Sequence, residues 1–239
     1  MNSFFSGKKI LIISPHPDDE TLGCGGTVLK SINEGAKVYV LLVSVGTVAQ
    51  YTRDGKVTIL EEERLNEFYS VMERLNVTAY KVLYLNKDNI HSKMDIIPRV
   101  QLVDELEFGE QISINEIRPD IVMIPSPAYH QDHEAVFRAS FTACRPSVSS
   151  IRWSPPQVWG YDNPAIFWSM EREKFHPNLY VDISRYLKHK IRVVSLYKSQ
   201  MRPDPDHRSI NNIELLAKSR GREISVEAAE AFVCYRMML

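Results

Sequence analysis

The 239 residues carry 44% hydrophobic and 25% charged side chains with a formal net charge of −1, the balance of a soluble globular protein. That charge excludes a dedicated nucleic-acid surface, which would be strongly basic, and no apolar run reaches the roughly 20 residues needed to span a bilayer. Cys24, Cys144 and Cys234 are too scattered for a disulfide framework or a CxxC zinc knuckle, and Met1–Lys9 lacks the basic-then-apolar layout of a secretory signal. A cytoplasmic enzyme or binding protein is the expectation, with residues 1–239 forming one domain.

Lys9–Ser14 reads as a fully buried strand, because its apolar residues run on without alternation. The stretch Pro15-His16-Pro17-Asp18-Asp19-Glu20 follows, then a helix over about Glu20–Glu34 with Gly35 at its end. Gly23, Gly25 and Gly26 fall in the first turns of that helix, which suggests close packing against a sheet or a ligand. Lys37–Val45 is a second buried strand, and strand–helix–strand predicts a right-handed parallel crossover. Gly46–Thr58, with Thr47, Tyr51, Thr52, Arg53 and Asp54, reads as a polar loop, either a candidate substrate loop or simply a solvated one.

A helix over about Ile59–Leu75, a third strand at Lys81–Leu85 and an amphipathic helix over Pro98–Ile117 come next. Asp104, Glu105, Glu107 and Glu110 are assigned to the solvated face of that last helix. The fourth strand, Ile121–Ile124, leads through Pro125-Ser126-Pro127-Ala128-Tyr129 into His130-Gln131-Asp132-His133 and a helix to Cys144. Beyond about residue 145, strands at Pro155–Tyr161 and Leu179–Ile183 and helices at Ser184–Met201 and Val226–Cys234 are expected around the cleft, with an aromatic connection carrying Phe167, Trp168, Phe175 and His176. The fold class is α/β: a Rossmann-like, doubly wound, mostly parallel sheet with helices on both faces.

Two histidine–carboxylate clusters thus follow two different strands. In a doubly wound sheet the first and fourth strands are neighbours at the switch point, so both clusters reach one crevice. Taken alone, Pro15–Glu20 could equally be an Asp-capped helix start; paired with His130–His133 it points to a metal site. Two histidines and a carboxylate around an open position suit zinc, and also Fe(II) or another divalent metal. A second carboxylate would serve as general base, and a further His as oxyanion stabiliser or acid.

Pro15–Glu20 followed by His130–His133 resembles the PIG-L/LmbE-like family of zinc-dependent de-N-acetylases. Arg64 and Glu67 resemble the family's R-x-x-E helix, Val181–Ser184 its post-cleft strand, Lys198-Ser199-Gln200 its S-Q helix end, and Arg222 with Ala229-Glu230-Ala231-Phe232 its G-R…A-E-A-F terminus. The resemblance assigns the metal to His16, Asp19 and His133, and the general base for metal-bound water to Asp18. It makes His130 the oxyanion stabiliser and acid, held by Asp132, and Arg64 a substrate contact, the alternative being a surface ion pair of Arg64 with Glu67 or Glu61.

The implied reaction is removal of the N-acetyl group from an N-acetylglucosamine-type sugar or glycoconjugate. Two other readings stay open: a metal-dependent amidase acting on a larger amide, and a non-catalytic Rossmann-like nucleotide-binding module. Against the latter, the glycines form no GxGxxG directly after the strand, and His-Pro-Asp-Asp puts negative charge where a pyrophosphate would sit. The chain departs from relatives at Ala128, where some carry tyrosine, with Tyr129 adjacent, and Asp88 is a loose match to an Asp after the third strand. His176, His189 and His207 are read as structural or surface residues. The sequence is silent on oligomeric state, a homo-oligomer included.

Overall fold

The structure, a computed structural model, describes residues 3–52, 55–163 and 175–238. Its main sheet has seven strands in the order β5-β2-β1-β6-β7-β9-β8: Ala79–Tyr84 (β5), Lys37–Ser44 (β2), Lys9–Ser14 (β1), Ile121–Pro125 (β6), Gln157–Tyr161 (β7), Ala229–Met237 (β9) and Leu179–Asp182 (β8). The first five are parallel; β9 runs antiparallel between β7 and β8. From β1 the chain winds outward through β2 to β5, then returns to the other side of β1 as β6. Ile10 faces Ile121 across that junction and Ile12 faces Met123, so the loops leaving β1 and β6 emerge side by side.

The strands need cover on both faces because successive side chains point to opposite sides. In β1, Ile10 and Ile12 join one core with Val28, Phe68, Met72 and Trp159; Leu11 and Ile13 join the other with Leu102, Leu106, Val136 and Ala139. The first face is covered by α1 (Asp19–Asn33), α2 (Glu61–Leu75), α6 (Leu187–Val194) and α7 (Ile210–Arg222). The second is covered by α3 (Arg99–Phe108), α4 (Ile114–Ile117) and α5 (Gln131–Ala143). Among the described residues no helix is long and apolar enough to cross a membrane.

Several expectations are corrected. Gly46–Thr58 is not an open loop: Val48–Thr52 (β3) and Gly55–Ile59 (β4) pair as an antiparallel hairpin. Arg53 and Asp54 themselves lie outside the described residues, as do Phe167 and Trp168. The helix expected over Pro98–Ile117 breaks after Phe108, and Ser113 caps a separate turn by accepting from Glu116 N. Glu107 is not solvated but buried, pairing with Arg145 and, at 2.8 Å, with the buried Arg152.

The C-terminal third departs most. The helix expected over Ser184–Met201 is the shorter α6, and α7 went unread although Ser209 caps it and Ile213 and Ala217 mark its buried face. The helix expected over Val226–Cys234 is instead a strand beginning at Ala229: Ala and Glu favour helix weakly, and the hydrogen-bond ladders to two neighbouring strands overrule them.

One consequence of β9 is a buried clamp on α1. The helix is interrupted at Cys24 (φ −141°, ψ 16°), which leaves the next amides in need of acceptors. The Glu230 carboxylate takes Gly26 N at 2.8 Å, Thr27 N at 2.7 Å and Thr27 Oγ1 at 2.6 Å, and pairs with Lys190 Nζ at 2.6 Å. A Cβ on Gly26 would come 2.7 Å from Ile183, so this glycine serves close packing and not a phosphate. Glu230→Ala would leave a buried ammonium and two amides unpaired, and is expected to cost about 3–5 kcal/mol. Urea denaturation measures it; a loss under about 1 kcal/mol would refute the clamp.

Candidate functional site

The β1 loop carries its chemistry on a constrained backbone. Asp18 has φ 114°, unusual for a non-glycine residue, and is held there because its carbonyl accepts from Thr21 N (3.1 Å) and Leu22 N (2.8 Å). Glu20 supports the loop from within: its carboxylate accepts from Tyr197 Oη at 2.5 Å, Thr21 Oγ1 at 2.7 Å, Ser14 Oγ at 3.2 Å and Asp18 N at 3.3 Å. Asp18 occupies the helix N-cap position, yet its side chain makes no capping bond. Its Oδ2 is buried without a partner. The acidic-cap reading of this stretch therefore fails.

Asp19 and two imidazoles converge beside it. Asp19 Oδ2 lies 3.3 Å from His133 Nε2 and 3.7 Å from His16 Nδ1, and accepts from His16 N at 3.0 Å; Oδ1 accepts from Asn163 Nδ2. One potential ligand atom from each of His16, Asp19 and His133 falls within 4.8 Å of the others. Donors around a tetrahedral zinc, each about 2.0–2.1 Å from it, sit about 3.3 Å apart, so the donor set fits. His176, His189 and His207 join neither metal-type group found among the described residues.

Asp132 is placed differently from expectation. Its fully buried carboxylate accepts from Ser92 N (2.8 Å) and Met94 N (2.9 Å) and lies 2.7 Å from His16 Nε2. With two amides donating to it, the carboxylate is the acceptor for His16 Nε2–H, which turns the bare Nδ1 toward Asp19. His130 is held instead by the Asp132 backbone, whose N–H donates to Nδ1 at 3.2 Å. The rings of His16, His130 and His133 lie 5.2–5.3 Å apart; His130 stands beside the His16–Asp19–His133 set and groups instead with His16 and Asp132.

Burial dominates the electrostatics. It pushes Asp19 well above the usual carboxylate range, with Asp18 and Glu20 adding repulsion, and pulls His16 and His133 well below the usual imidazole range. Asp18 is raised by burial, opposed by Arg208 and then Arg64. A bound divalent cation would offset the cost of ionising these carboxylates, and neutral imidazoles are the form that ligates.

Arg64 does not form the surface pair that was the alternative. It is buried, and Nη1 donates to Gly46 O at 2.7 Å and to His91 Nε2 at 2.8 Å. Glu67 instead accepts from Ser199 N (2.8 Å) and Oγ (2.6 Å), which ties the R-x-x-E helix to the Ser199-Gln200 turn, and Glu61 accepts from Asn86 N.

Sequence reasoning missed His91, Arg208 and Asn163. His91 follows β5, whose carboxyl end opens on the same edge as the cleft; that was the available signal. Burial and Arg64 pull its pKa to about 4, and its ring meets that of His16 edge-on at 5.0 Å. Arg208, before α7, is steadied by Gln200 Oε1 at 3.2 Å. Asp88 caps the turn after β5 by accepting from Leu85 N, and Tyr129 is exposed. A cavity of about 410 Å³ opens beside His91, lined by Thr47, Val48 and Ala49 of the hairpin root and by Asn86, Asn89 and Ser92.

Residues 11–144 match the family described as PIG-L: GlcNAc-PI de-N-acetylase. The chain is 29% identical over 204 residues to diacetylchitobiose deacetylase of Thermococcus kodakarensis, covering 82% of this chain and 72% of that one. It is 28% identical over 188 residues to the uncharacterized deacetylase YaiS of Escherichia coli, covering 77% and 91%. Its fold is that of the conserved protein TT1542 from Thermus thermophilus, with a TM-score of 0.73, 22% identity and coverage of 97% and 96%. The match over more than half of the chain, on a sheet of the same fold with this cluster at its switch point, identifies the chain as a member of the PIG-L family of de-N-acetylases.

Proposed function

We propose that the protein is a zinc-dependent hydrolase that removes the N-acetyl group from an N-acetylglucosamine-type sugar or glycoconjugate. The observation that carries this reading is the buried, uncapped carboxylate of Asp18 beside His16, Asp19 and His133. The acetylated sugar substrate in the name of the Thermococcus relative supports it. Zinc held by His16, Asp19 and His133 supplies Lewis-acid polarisation of the amide carbonyl and a lowered pKa for water; the same donors accommodate Fe(II).

The protein's own groups do the remaining work. Asp18 takes a proton from the attacking water as its oxygen bonds to the acetyl carbon. His130, with Nδ1 occupied by the Asp132 amide, turns Nε2 to the carbonyl oxygen where negative charge develops. The C–N bond then breaks, the proton passes to the leaving nitrogen, and acetate and the free amine depart. Asp132 acts through His16 and through its backbone amide, and Arg64 contacts the sugar. Cys24, Cys144 and Cys234 are free thiols, which supports a reducing, cytoplasmic setting.

An acetate-release screen over N-acetylglucosaminides with different aglycones tests the reading. Stoichiometric acetate and free amine are expected from at least one of them. A metal-replete protein that releases a bulkier acid, or nothing, across the panel would overturn it.

A further inference from the structure

We propose that His91 is a positioning residue of this site: as a neutral imidazole of one fixed tautomer, it holds the Arg64 guanidinium in place to meet an oxygen of the substrate. The inference rests on the reading of Arg64 as a substrate contact.

The tautomer follows from what each neighbour can do. A guanidinium has donors and no acceptor, so His91 Nε2, 2.8 Å from Arg64 Nη1, must present its lone pair. The ring proton is then on Nδ1, where it donates to Ser44 Oγ at 2.9 Å. Arg64 Nη1 is thereby fixed at two points, Gly46 O and His91, with the side chain buried against rotation. Its Nε is buried and, among the described residues, has no hydrogen-bond partner. Burial lowers the pKa of Arg64, and the Asp18 charge is the chief influence against that shift.

The fit is tight on the far side. A Cβ on Gly46 would stand 2.7 Å from His91 Cβ and 2.8 Å from Cγ, so only glycine lets the imidazole lie against the end of β2. His91 also touches His16 edge-on. One ring thus joins the arm that grips the sugar to the cluster that cleaves it, and its loop borders the cavity beside the hairpin.

Two measurements test the inference. The imidazole ¹⁵N shifts of His91 in the intact protein should show Nδ1 protonated and Nε2 bare; the reverse tautomer would overturn it. Steady-state acetate release from N,N′-diacetylchitobiose, or whichever N-acetylglucosaminide the protein turns over, supplies the second. His91→Ala should raise KM about tenfold with kcat changed less than about threefold. His91→Gln, whose amide can accept from Arg64 and donate to Ser44, should restore the parent KM. Gly46→Ala, pressing on the ring from behind, should reproduce the His91→Ala rise. If Arg64→Ala raises KM and His91→Ala does not, the positioning role is wrong while the substrate contact stands. If Arg64→Ala leaves KM unchanged, the substrate contact itself falls.

Discussion

Asp18→Asn is expected to lower kcat by about 10²–10⁴-fold, the range supplied by a positioned general base, and to leave the protein at least as stable as the parent. Asparagine keeps the shape and tolerates the positive φ of 114° at this position, yet cannot take the water proton. The native carboxylate is also an unfavourable group for the fold. It is buried, its charge raises Asp19 and Glu20, and its Oδ2 has no partner among the described residues, so that burial outweighs the relief from Arg208 and Arg64. Removing that charge relieves repulsion, so the melting temperature should stay level or rise while turnover collapses. Acetate release at saturating substrate and a thermal melt on the same sample check both halves. Turnover within about threefold of the parent would remove Asp18 from the reaction.

Stripping the metal should abolish acetate release, and adding zinc should restore it. The same treatment should destabilise the protein, because a ligand that binds only the folded state contributes about 4 kcal/mol at a thousand times its Kd. The reason lies in the cluster: without a cation, Asp19 must be buried beside Asp18 and Glu20 with only hydrogen-bond donors and the charge of Arg208 for relief. In His133→Ala the ligand set loses its α5 member, and zinc should no longer rescue either activity or melting temperature. Undiminished turnover by protein shown to be metal-free would exclude a hydrolytic role for the cluster.

How much of this was legible in the sequence depends on what each residue reports locally. Ile10–Ile13 and Val38–Val43 are apolar at every position, which only a strand covered on both faces requires; the switch point and the convergence of His16 with His133 then follow from chain order. Asp132 could be placed in the site but not on its partner, because carboxylate and backbone of one residue serve different histidines. His91 offered only its place after β5; its role comes from Arg64, 27 residues earlier, and from Ser44 at the end of β2. Ala229-Glu230-Ala231 misled for a related reason: local preference favours helix, while the decisive bonds run to strands and to an α1 amide 204 residues away.

That last bond bears on how the molecule comes together. The final strand is inserted between two that precede it in the chain, and β8 has no sheet partner until β9 arrives. Only then does Glu230 reach the broken turn of α1, the helix that begins at Asp19. The loop that carries Asp18 and Asp19 is thus braced through the last strand in the chain. Contacts of such sequence separation close slowly, so hydrolytic competence should emerge late in folding, after the parallel core has formed.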